Sequence, residues 1–220
     1  MGKYTDKIVV ITGGAQPNSL AMAKKFAQED AKAVIVLCES IENTEALIRD
    51  QGAACQALEC NIADFADVTR CFEAIKAQVG FVDILVCNPN AECKKTLLET
   101  TPEEYNQVLA INVHSLFYCT KQVYADFKER RTGKLILFSD NDAFGVAGNA
   151  AHAITMASAL GYIGSCSREG EKYGVTCNLV TPTAGCTPED VANTVALLTS
   201  EEGRPFHGQV IKVIKDWTKG

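Results

Sequence analysis

The chain has 220 residues, of which 47% are hydrophobic and 22% are charged, and its mean hydropathy is +0.00. This balance is typical of a soluble globular protein with one sizeable core, and we expect a single domain over residues 1–220. The net charge is −6 and the lysines and arginines are scattered along the chain, which excludes a basic surface for nucleic acid.

No segment of the sequence indicates a membrane or an export route. No apolar run approaches the roughly 20 residues that a membrane-spanning helix needs. The first residues, MGKYTDKIVVITGG, lead directly into a strand pattern and lack the layout of a signal peptide. We therefore expect a cytoplasmic protein with no membrane partner.

Seven apolar runs of strand length alternate along the chain with segments of helical period. The runs cover residues 7–11, 33–37, 54–58, 82–86, 134–138, 176–180 and 209–214. Runs such as IVVIT, VIVL, DILVC and LILFS are almost continuously hydrophobic, which is typical of strands that are covered on both faces. The pattern predicts a doubly wound α/β fold, with a parallel sheet between two layers of helices.

Helix signals support this alternation. Thr101-Pro102-Glu103-Glu104 combines a capping threonine, a proline at the first helical position and an acid three residues after the cap, and the helix should run to about Arg130. Thr187-Pro188-Glu189-Asp190 marks a later helix start. A further long helix is expected over residues 150–172.

The ten cysteines contain no Cys-x-x-Cys pair and no spacing typical of His and Cys metal ligands. Several lie inside apolar runs, where a free cysteine behaves as a small buried hydrophobic residue. We expect reduced thiols that pack in the core, and no metal site.

In open parallel sheets ligands bind beyond the carboxyl ends of the strands, so the residues that follow each strand are the candidates for function. The first strand, turn and helix read VVITGGAQPNSLAMAKKFAQE and resemble the TGxxxGxG opening of the short-chain dehydrogenase/reductase superfamily. The resemblance continues through CNIAD, DILVCNPN, INV, LILFS and YGVTCNLVTP, in that family's order and spacing. It covers essentially the whole chain and implies a Rossmann-type fold and, in an intact member, a nicotinamide cofactor.

The glycine motif departs from the family pattern. Gly13 remains, but the second and third glycines are replaced by Pro17 and Ser19. The middle glycine lets backbone N–H groups approach a pyrophosphate, whereas proline has no N–H and adds a ring. Losing one or two charge-assisted hydrogen bonds, at about 1.5–3 kcal/mol each, would weaken dinucleotide binding roughly ten- to ten-thousandfold. The alternative is a rearranged loop that still holds the cofactor.

Other cofactor positions have also changed. Glu39, the only acid near the end of the second strand, is displaced by a residue or two from the place of the family's ribose-binding Asp. Asn61 stands in place of an Asp that contacts adenine, and in CNPN the residue Asn88 is followed by Pro89 and Asn90 in place of small residues. We expect no cofactor, and the degenerate cofactor-binding positions are Gly13, Pro17, Ser19, Asn61 and Asn88.

The resemblance also locates the catalytic positions. If Ser139 is the family's serine, the tyrosine position falls thirteen residues later at His152 and the lysine position four residues after that at Met156. A register shifted by one residue places the three on Asp140, Ala153 and Ala157. Neither Tyr162 nor Tyr173, the two tyrosines that follow Ser139 in the chain, has a lysine four residues later.

The missing pair carries the family's chemistry. A phenol with a pKa of about 10 becomes a useful acid or base near neutral pH only beside an ammonium group, which Met156 does not supply. Asn112 matches a helix asparagine that holds a proton-relay water in the family, and Ser139 matches the residue that orients the substrate oxygen. Both also have a structural interpretation, at a helix kink and a strand end. We expect no catalytic residue and treat Asn112, Ser139, His152 and Met156 as vestigial positions.

His152 supports one alternative function. The ordinary pKa of histidine, about 6.5, suits acid–base chemistry, and a couple between Ser139 and His152 would allow proton transfer or hydrolysis without a cofactor. Only Asp140 or Asp142 could orient such a histidine. The structural alternative is a histidine packed in, or at an interface of, an otherwise apolar helix.

Between Pro182 and the helix start at Thr187 there are only four residues, where active family members usually insert a lid. The segments through which family members pair keep an apolar pattern; these are the long helices at residues 102–130 and 150–172, and the last strand with its flanking helix. Their apolar residues are Val108, Ile111, Leu116, Phe117, Val123, Ile154, Met156, Ala159, Leu160, Ile163, Val210, Ile211, Val213, Ile214 and Trp217.

The leading hypothesis is an inactive subunit of this fold that pairs with an active paralogue in a hetero-oligomer, with a heterotetramer as the expected form. The resemblance suggests an alcohol dehydrogenase complex of the hydroxyacyl-CoA type. The alternatives are the cofactor-independent enzyme that uses Ser139 and His152, a weakly active oxidoreductase, and a sensor that binds another ligand in the remodelled nucleotide pocket.

Overall fold

The computed structural model describes residues 2–50 and 55–215, and it contains one seven-stranded parallel sheet in the order β3-β2-β1-β4-β5-β6-β7. The strands are β1 (Ile8–Ile11), β2 (Ala33–Cys38), β3 (Gln56–Glu59), β4 (Ile84–Cys87), β5 (Gly133–Phe138), β6 (Val175–Pro182) and β7 (Val210–Val213). Each corresponds to one predicted run, although residue 54 of the third run lies outside the described residues. The predicted doubly wound α/β fold is confirmed.

The helices cover both faces of the sheet. They are α1 (Pro17–Gln28), α2 (Ile41–Asp50), α3 (Phe65–Gln78), α4 (Pro102–Leu109), α5 (Ser115–Arg130), α6 (Ala150–Gly170) and α7 (Pro188–Thr199). A π-helical stretch, Ala110–His114, joins α4 to α5, and short 3₁₀ turns lie at Asn141–Phe144 and Glu171–Tyr173. The helix predicted from residue 102 to Arg130 is therefore present, with one irregular turn inside it.

Two capping boxes begin α4 and α7 as the sequence predicts. The Thr101 hydroxyl accepts a hydrogen bond from the backbone N–H of Glu104, whose carboxylate accepts one from the N–H of Thr101. Thr187 and Asp190 form the same pair of bonds at α7. These contacts satisfy donors that a helix start otherwise leaves unpaired.

The core lies in two layers, one on each side of the sheet. One layer contains Phe127, Leu135 and Ile163, and the other contains Phe26 and Val195. Every residue of β1 and β4 is buried, which explains why their sequences lack the alternation of a half-exposed strand.

The cysteines pack as expected. All ten thiols are free, and all but Cys55 and Cys186 are buried. Burial raises the pKa of the Cys166 thiol to about 11, which leaves little reactive thiolate at neutral pH. Among the described residues, no helix is long and apolar enough to cross a membrane.

Candidate functional site

A cavity of about 380 Å³ opens at the carboxyl ends of β1, β2 and β4. The direction of the strand order reverses between β1 and β4, where doubly wound sheets bind their ligands. Gly13, Glu39, Thr44, Cys60 and Ile111 are among its lining residues. Its volume lies within the range of small-molecule sites, about 300–1,000 Å³.

The turn after β1 requires Gly13 for its own packing. The φ angle of Gly13 is +96°, and a Cβ atom there would lie 2.3 Å from the carbonyl oxygen of Asn88. Any other residue would be strained and would displace the end of β4. The presence of Gly13 is therefore explained without a bound cofactor.

Ser19 and Asn88 fill the space that the family's third glycine leaves between helix and strand. The buried Ser19 hydroxyl donates to the Thr12 carbonyl over 3.0 Å and accepts from Asn88 Nδ2 over 3.0 Å. The backbone N–H of Asn88 donates to Thr12 Oγ1, also over 3.0 Å. These bonds connect β1, α1 and β4, and they give both degenerate positions a structural role.

Pro17 is the first residue of α1 and is exposed. It contributes no N–H to a helix start that would otherwise attract a phosphate group, and the preceding Gln16 makes no side-chain cap hydrogen bond. Instead, the Gln16 side-chain oxygen accepts a bond from Asn88 Nδ2 over 3.4 Å. The helix start is therefore a weaker anion site than a glycine loop would provide.

Two residues that the sequence associates with the adenosine lie in different environments. Glu39 directly follows β2, is exposed and lines the 380 Å³ cavity. It therefore still lies at this cavity, although the sequence places it a residue or two away from the family's ribose-binding Asp. Asn61 is exposed outside that cavity's lining, and its side-chain oxygen accepts a hydrogen bond from the N–H of Ala63 over 3.0 Å. Asn61 thus closes a local turn.

Two of the four predicted catalytic positions, Ser139 and Met156, line a second, smaller cavity of about 120 Å³. Ser139, Asp140, Met156 and Pro182 are among its lining residues. The Ser139 hydroxyl donates to the backbone oxygen of Met156 over 3.0 Å, and the Met156 side chain is 4% exposed. An apolar side chain therefore occupies the position at which the family has a lysine.

His152 does not pair with Ser139. Its side chain is fully buried, with Nε2 2.7 Å from Asp140 Oδ2 and Nδ1 2.9 Å from the carbonyl oxygen of Ala91. Burial favours the neutral form, but the hydrogen bonds to Asp140 and Ala91 outweigh it and raise the pKa of His152 above its ordinary value. Of the two candidate orienting carboxylates, Asp140 is the one in contact. With both ring nitrogens engaged and no exposed surface, His152 has no route to a substrate proton.

Asn112 lies in the π-helical stretch and binds the loop that follows β4. Its side-chain oxygen accepts from the N–H of Ala91 over 2.7 Å, and Nδ2 donates to the Ala91 carbonyl over 2.8 Å and to Thr155 Oγ1 over 3.0 Å. Both amide hydrogens are thus used within the protein. This supports the structural interpretation of Asn112.

Sequence reasoning missed Ala91, on which Asn112 and His152 converge. Its carbonyl oxygen accepts from both side chains, so β4, the π-helical stretch, α6 and the end of β5 share one buried polar network. Ala91 contributes only backbone atoms, and therefore no side-chain pattern could have identified it.

The connection from β6 to α7 is held against the last strand. The N–H of Thr183 donates to the Val213 carbonyl over 2.8 Å, and the Cys186 thiol donates to the same oxygen over 2.9 Å. A short connection fixed in this way cannot close over the neighbouring cavity as a lid would.

The two cavities fit the halves of a nicotinamide dinucleotide unequally. The larger one offers Glu39 and enough volume for an adenosine group. The smaller one, at about 120 Å³, is well below the size of typical ligand pockets, and Met156 supplies no charge there. Pro17 removes a backbone donor between the two halves. The residues present therefore do not fit the complete cofactor.

Fold and site together are those of a Rossmann-type protein of the short chain dehydrogenase class. Residues 7–194 match the family described as short chain dehydrogenase, and the chain belongs to that family. The family resemblance inferred from the motifs is thereby confirmed.

Individual relatives agree with this assignment. The 3-oxoacyl-[acyl-carrier-protein] reductase FabG of Escherichia coli (strain K12) is 28% identical over 236 residues, with 96% of each chain covered. The protein of the same name from Salmonella typhimurium is 30% identical over 181 residues, or 81% of this chain and 73% of the relative. The crystal structure of gox2181 has a TM-score of 0.90 at 20% identity, and the match covers 99% of this chain and 98% of that one.

Proposed function

We propose that this chain is an inactive short chain dehydrogenase subunit that binds no nicotinamide cofactor and supports an active paralogue in a hetero-oligomer. The observation that carries the proposal is the composition of the small cavity. Met156 packs there with its carbonyl bonded to Ser139, while His152 is buried and bonded to Asp140 and Ala91. No side chain at these positions is available to give a proton to a substrate oxygen or to take one from it.

The outer faces of the long helices support a role in assembly. Phe117 on α5 and Ile154 on α6 are each 52% exposed, and a Cβ atom added at Gly161 or Gly164 would meet nothing within 4 Å. Small residues permit close helix approach, and exposed aromatic side chains are typical anchors of protein interfaces.

The last strand offers a second assembly surface. β7 is an edge strand, and its neighbourhood exposes Val210 (45%) and Ile214 (56%). An exposed apolar edge is a ready site for pairing with another chain. Seven of the apolar residues considered for pairing are instead buried in the core, and Trp217 lies outside the described residues. The seven are Val108, Leu116, Val123, Met156, Ala159, Ile163 and Val213.

The proposed complex is an alcohol dehydrogenase of the hydroxyacyl-CoA type, arranged as an α2β2 heterotetramer. The first candidate to test is the 2-[hydroxy(phenyl)methyl]succinyl-CoA dehydrogenase of anaerobic toluene degradation, because some family enzymes of this type pair an intact with a degenerate subunit. This assignment rests on analogy within the family.

A second candidate is a reductase that still uses a nicotinamide cofactor. The similarity to 3-oxoacyl-[acyl-carrier-protein] reductases and the open cavity beside Glu39 favour it. The cofactor-independent enzyme that uses Ser139 and His152 is disfavoured, because the two side chains are bonded to different partners.

Co-expression with an intact Tyr-x-x-x-Lys dehydrogenase from a neighbouring gene tests the proposal. We expect the two chains to co-purify in equal amounts and turnover to require the intact chain's tyrosine. His152→Ala in this chain should leave the rate of the complex unchanged. A homo-oligomer that never co-purifies with the intact chain, or that reduces 3-oxoacyl substrates alone, would contradict the proposal and favour the reductase.

A further inference from the structure

Both ring nitrogens of the buried His152 face hydrogen-bond acceptors. Nδ1 lies 2.9 Å from the carbonyl oxygen of Ala91, and Nε2 lies 2.7 Å from Oδ2 of Asp140. A neutral imidazole carries one N–H and donates one hydrogen bond, whereas the imidazolium cation donates two. The contacts of His152 are therefore those of a protonated histidine.

Asp140 is placed as the counter-ion of this cation. Its Oδ1 accepts a hydrogen bond from the N–H of Asp142 over 2.9 Å, which fixes the carboxylate at the start of the 3₁₀ turn and leaves Oδ2 for His152. The Asp140 side chain is 36% exposed, so the carboxylate keeps contact with solvent while it binds a fully buried ring. Hydrogen bonds between two ionised groups are roughly twice as strong as neutral ones. The protonated ring is thus held from both sides by groups in fixed positions.

The other charged groups around His152 add net negative charge. In the 3₁₀ turn, a carboxylate oxygen of Asp142 lies within 4.8 Å of the ring. In the loop after β4, Glu92 favours the cation, and Lys94 is itself paired with Glu92 over 2.6 Å. Among the described residues, Asp140 alone is close enough to form an ion pair with the ring. Burial opposes the charge, but these contacts outweigh it and raise the pKa of His152 above its ordinary value.

The contacts of His152 hold the wall between the two cavities. Pro89 and Asn90 line both the cavity of about 380 Å³ and that of about 120 Å³. Ala91, the next residue, accepts hydrogen bonds from His152 and from Asn112. Because Asp140 directly follows β5 and His152 belongs to α6, the protonated ring connects this wall to the end of β5.

We propose that His152 is a proton-dependent latch, which as an imidazolium binds Ala91 and Asp140 together and which, on losing its proton to solvent at alkaline pH, releases one contact and loosens residues 88–91. The neutral ring keeps one N–H, so its bare nitrogen faces the lone pairs of an oxygen. The folded chain binds this proton more tightly than the unfolded chain does. The latch is therefore complete below about pH 6.5, the ordinary pKa of histidine, and is lost as the pH rises through the raised pKa of His152. The assembly role does not require these residues, so the two proposals can fail separately.

Nuclear magnetic resonance of the full chain with ¹⁵N-labelled histidine tests the protonation state. The nitrogen chemical shifts distinguish an imidazolium from either neutral tautomer, and we expect His152 to be mainly the imidazolium at pH 6.5. Asp140→Asn should lower the proton-binding constant of His152 by roughly tenfold or more. Asparagine keeps an oxygen for the N–H of Asp142, so the turn should remain intact. Glu73→Gln, which changes an exposed carboxylate on α3, should leave proton binding unchanged.

Hydrogen exchange tests whether this proton controls the wall between the cavities. The readout is the protection factor of the Ala91 amide, whose N–H donates to Asn112 over 2.7 Å. We expect it to fall by roughly tenfold or more between pH 6.5 and 9, and to fall at lower pH in Asp140→Asn. Local exchange is the suitable measurement, because the ten thiols ionise on unfolding at alkaline pH and lower the global stability with or without the latch. A neutral His152 at pH 6.5, or an Ala91 amide whose protection is unchanged when His152 loses its proton, would overturn the proposal.

Discussion

The carbonyl oxygen of Ala91 accepts hydrogen bonds from Asn112 and His152, and the N–H of the same residue donates to Asn112. Two side chains that occupy catalytic positions of the family are thus engaged in holding one loop. A buried polar group of this kind stabilises the fold only while every partner is present. Asn112 should therefore matter for stability even in a chain without turnover.

Asn112→Ala removes three hydrogen bonds and leaves the N–H of Ala91 without its partner. We expect the free energy of unfolding to fall by about 1–3 kcal/mol, measured by urea denaturation. Gln107→Ala, an exposed change on the preceding helix, is the matched control and should be near neutral. Equal losses in the two variants would show that the Asn112 contacts contribute little.

Gly13→Ala tests whether the retained glycine serves the fold. The new Cβ would lie 2.3 Å from the Asn88 carbonyl at a φ of +96°, so we expect a loss of roughly 3 kcal/mol in the free energy of unfolding. Gly148→Ala also has a positive φ, +78°, but its Cβ meets nothing within 4 Å, and it should lose only about 1 kcal/mol. A Gly13→Ala protein as stable as Gly148→Ala would leave cofactor binding as the reason for the glycine.

The family spacing brings two of the predicted catalytic positions together, because Ser139 and Met156 both line the small cavity. His152 lies beside them through its contact with Asp140, which also lines that cavity. Their actual bonds could not be predicted, because Ser139 and His152 bind backbone oxygens and because the contact with Asp140 depends on the path of a turn.

Among the elements, the helical segment from α4 to α5 shows which features of a helix can be predicted from local sequence signals. The cap at Thr101 and the last turn before Arg131, which has a φ of +54°, agree with the predicted start and end. The π-helical turn between them has no local sequence signal. It places Asn112 against Ala91, so tertiary hydrogen bonds determine the local geometry.

Thr101→Ala removes the side-chain half of the α4 capping box. The N–H of Glu104 loses its acceptor, and we expect a loss of about 1 kcal/mol in the free energy of unfolding by thermal or urea denaturation. Thr101→Ser keeps the hydroxyl and should retain most of the stability. If serine is as destabilising as alanine, packing of the threonine methyl group matters more than the cap.

Phe117→Ser tests the assembly surface on α5. Because Phe117 is 52% exposed, the isolated chain should change in stability by no more than about 0.5 kcal/mol, while co-purification with the intact paralogue should fall sharply. Phe81→Ser alters a 45% exposed residue between α3 and β4, outside the proposed surface, and should leave co-purification intact. The reverse order of effects would place the partner on that side of the molecule.

For the whole molecule, the sheet was predictable because its five inner strands are buried on both faces. Continuous apolar runs such as those of β1 and β4 arise only where helices cover both sides. The unequal cavities were not predictable, since they depend on how Ser19, Asn88 and Met156 pack between separate elements. The sequence predicts lost cofactor contacts, and in the structure the small cavity is lined by Met156, at the position where the family has a lysine.

Titration of the purified chain with NADH and NADPH, followed by nucleotide fluorescence, tests the central claim most directly. The account predicts no saturable binding of either nucleotide, because Pro17 removes a phosphate donor and Met156 supplies no charge in the small cavity. The Escherichia coli FabG relative provides the control for the assay. Saturable micromolar binding of NADH or NADPH, accompanied by turnover of a 3-oxoacyl substrate, would contradict the account.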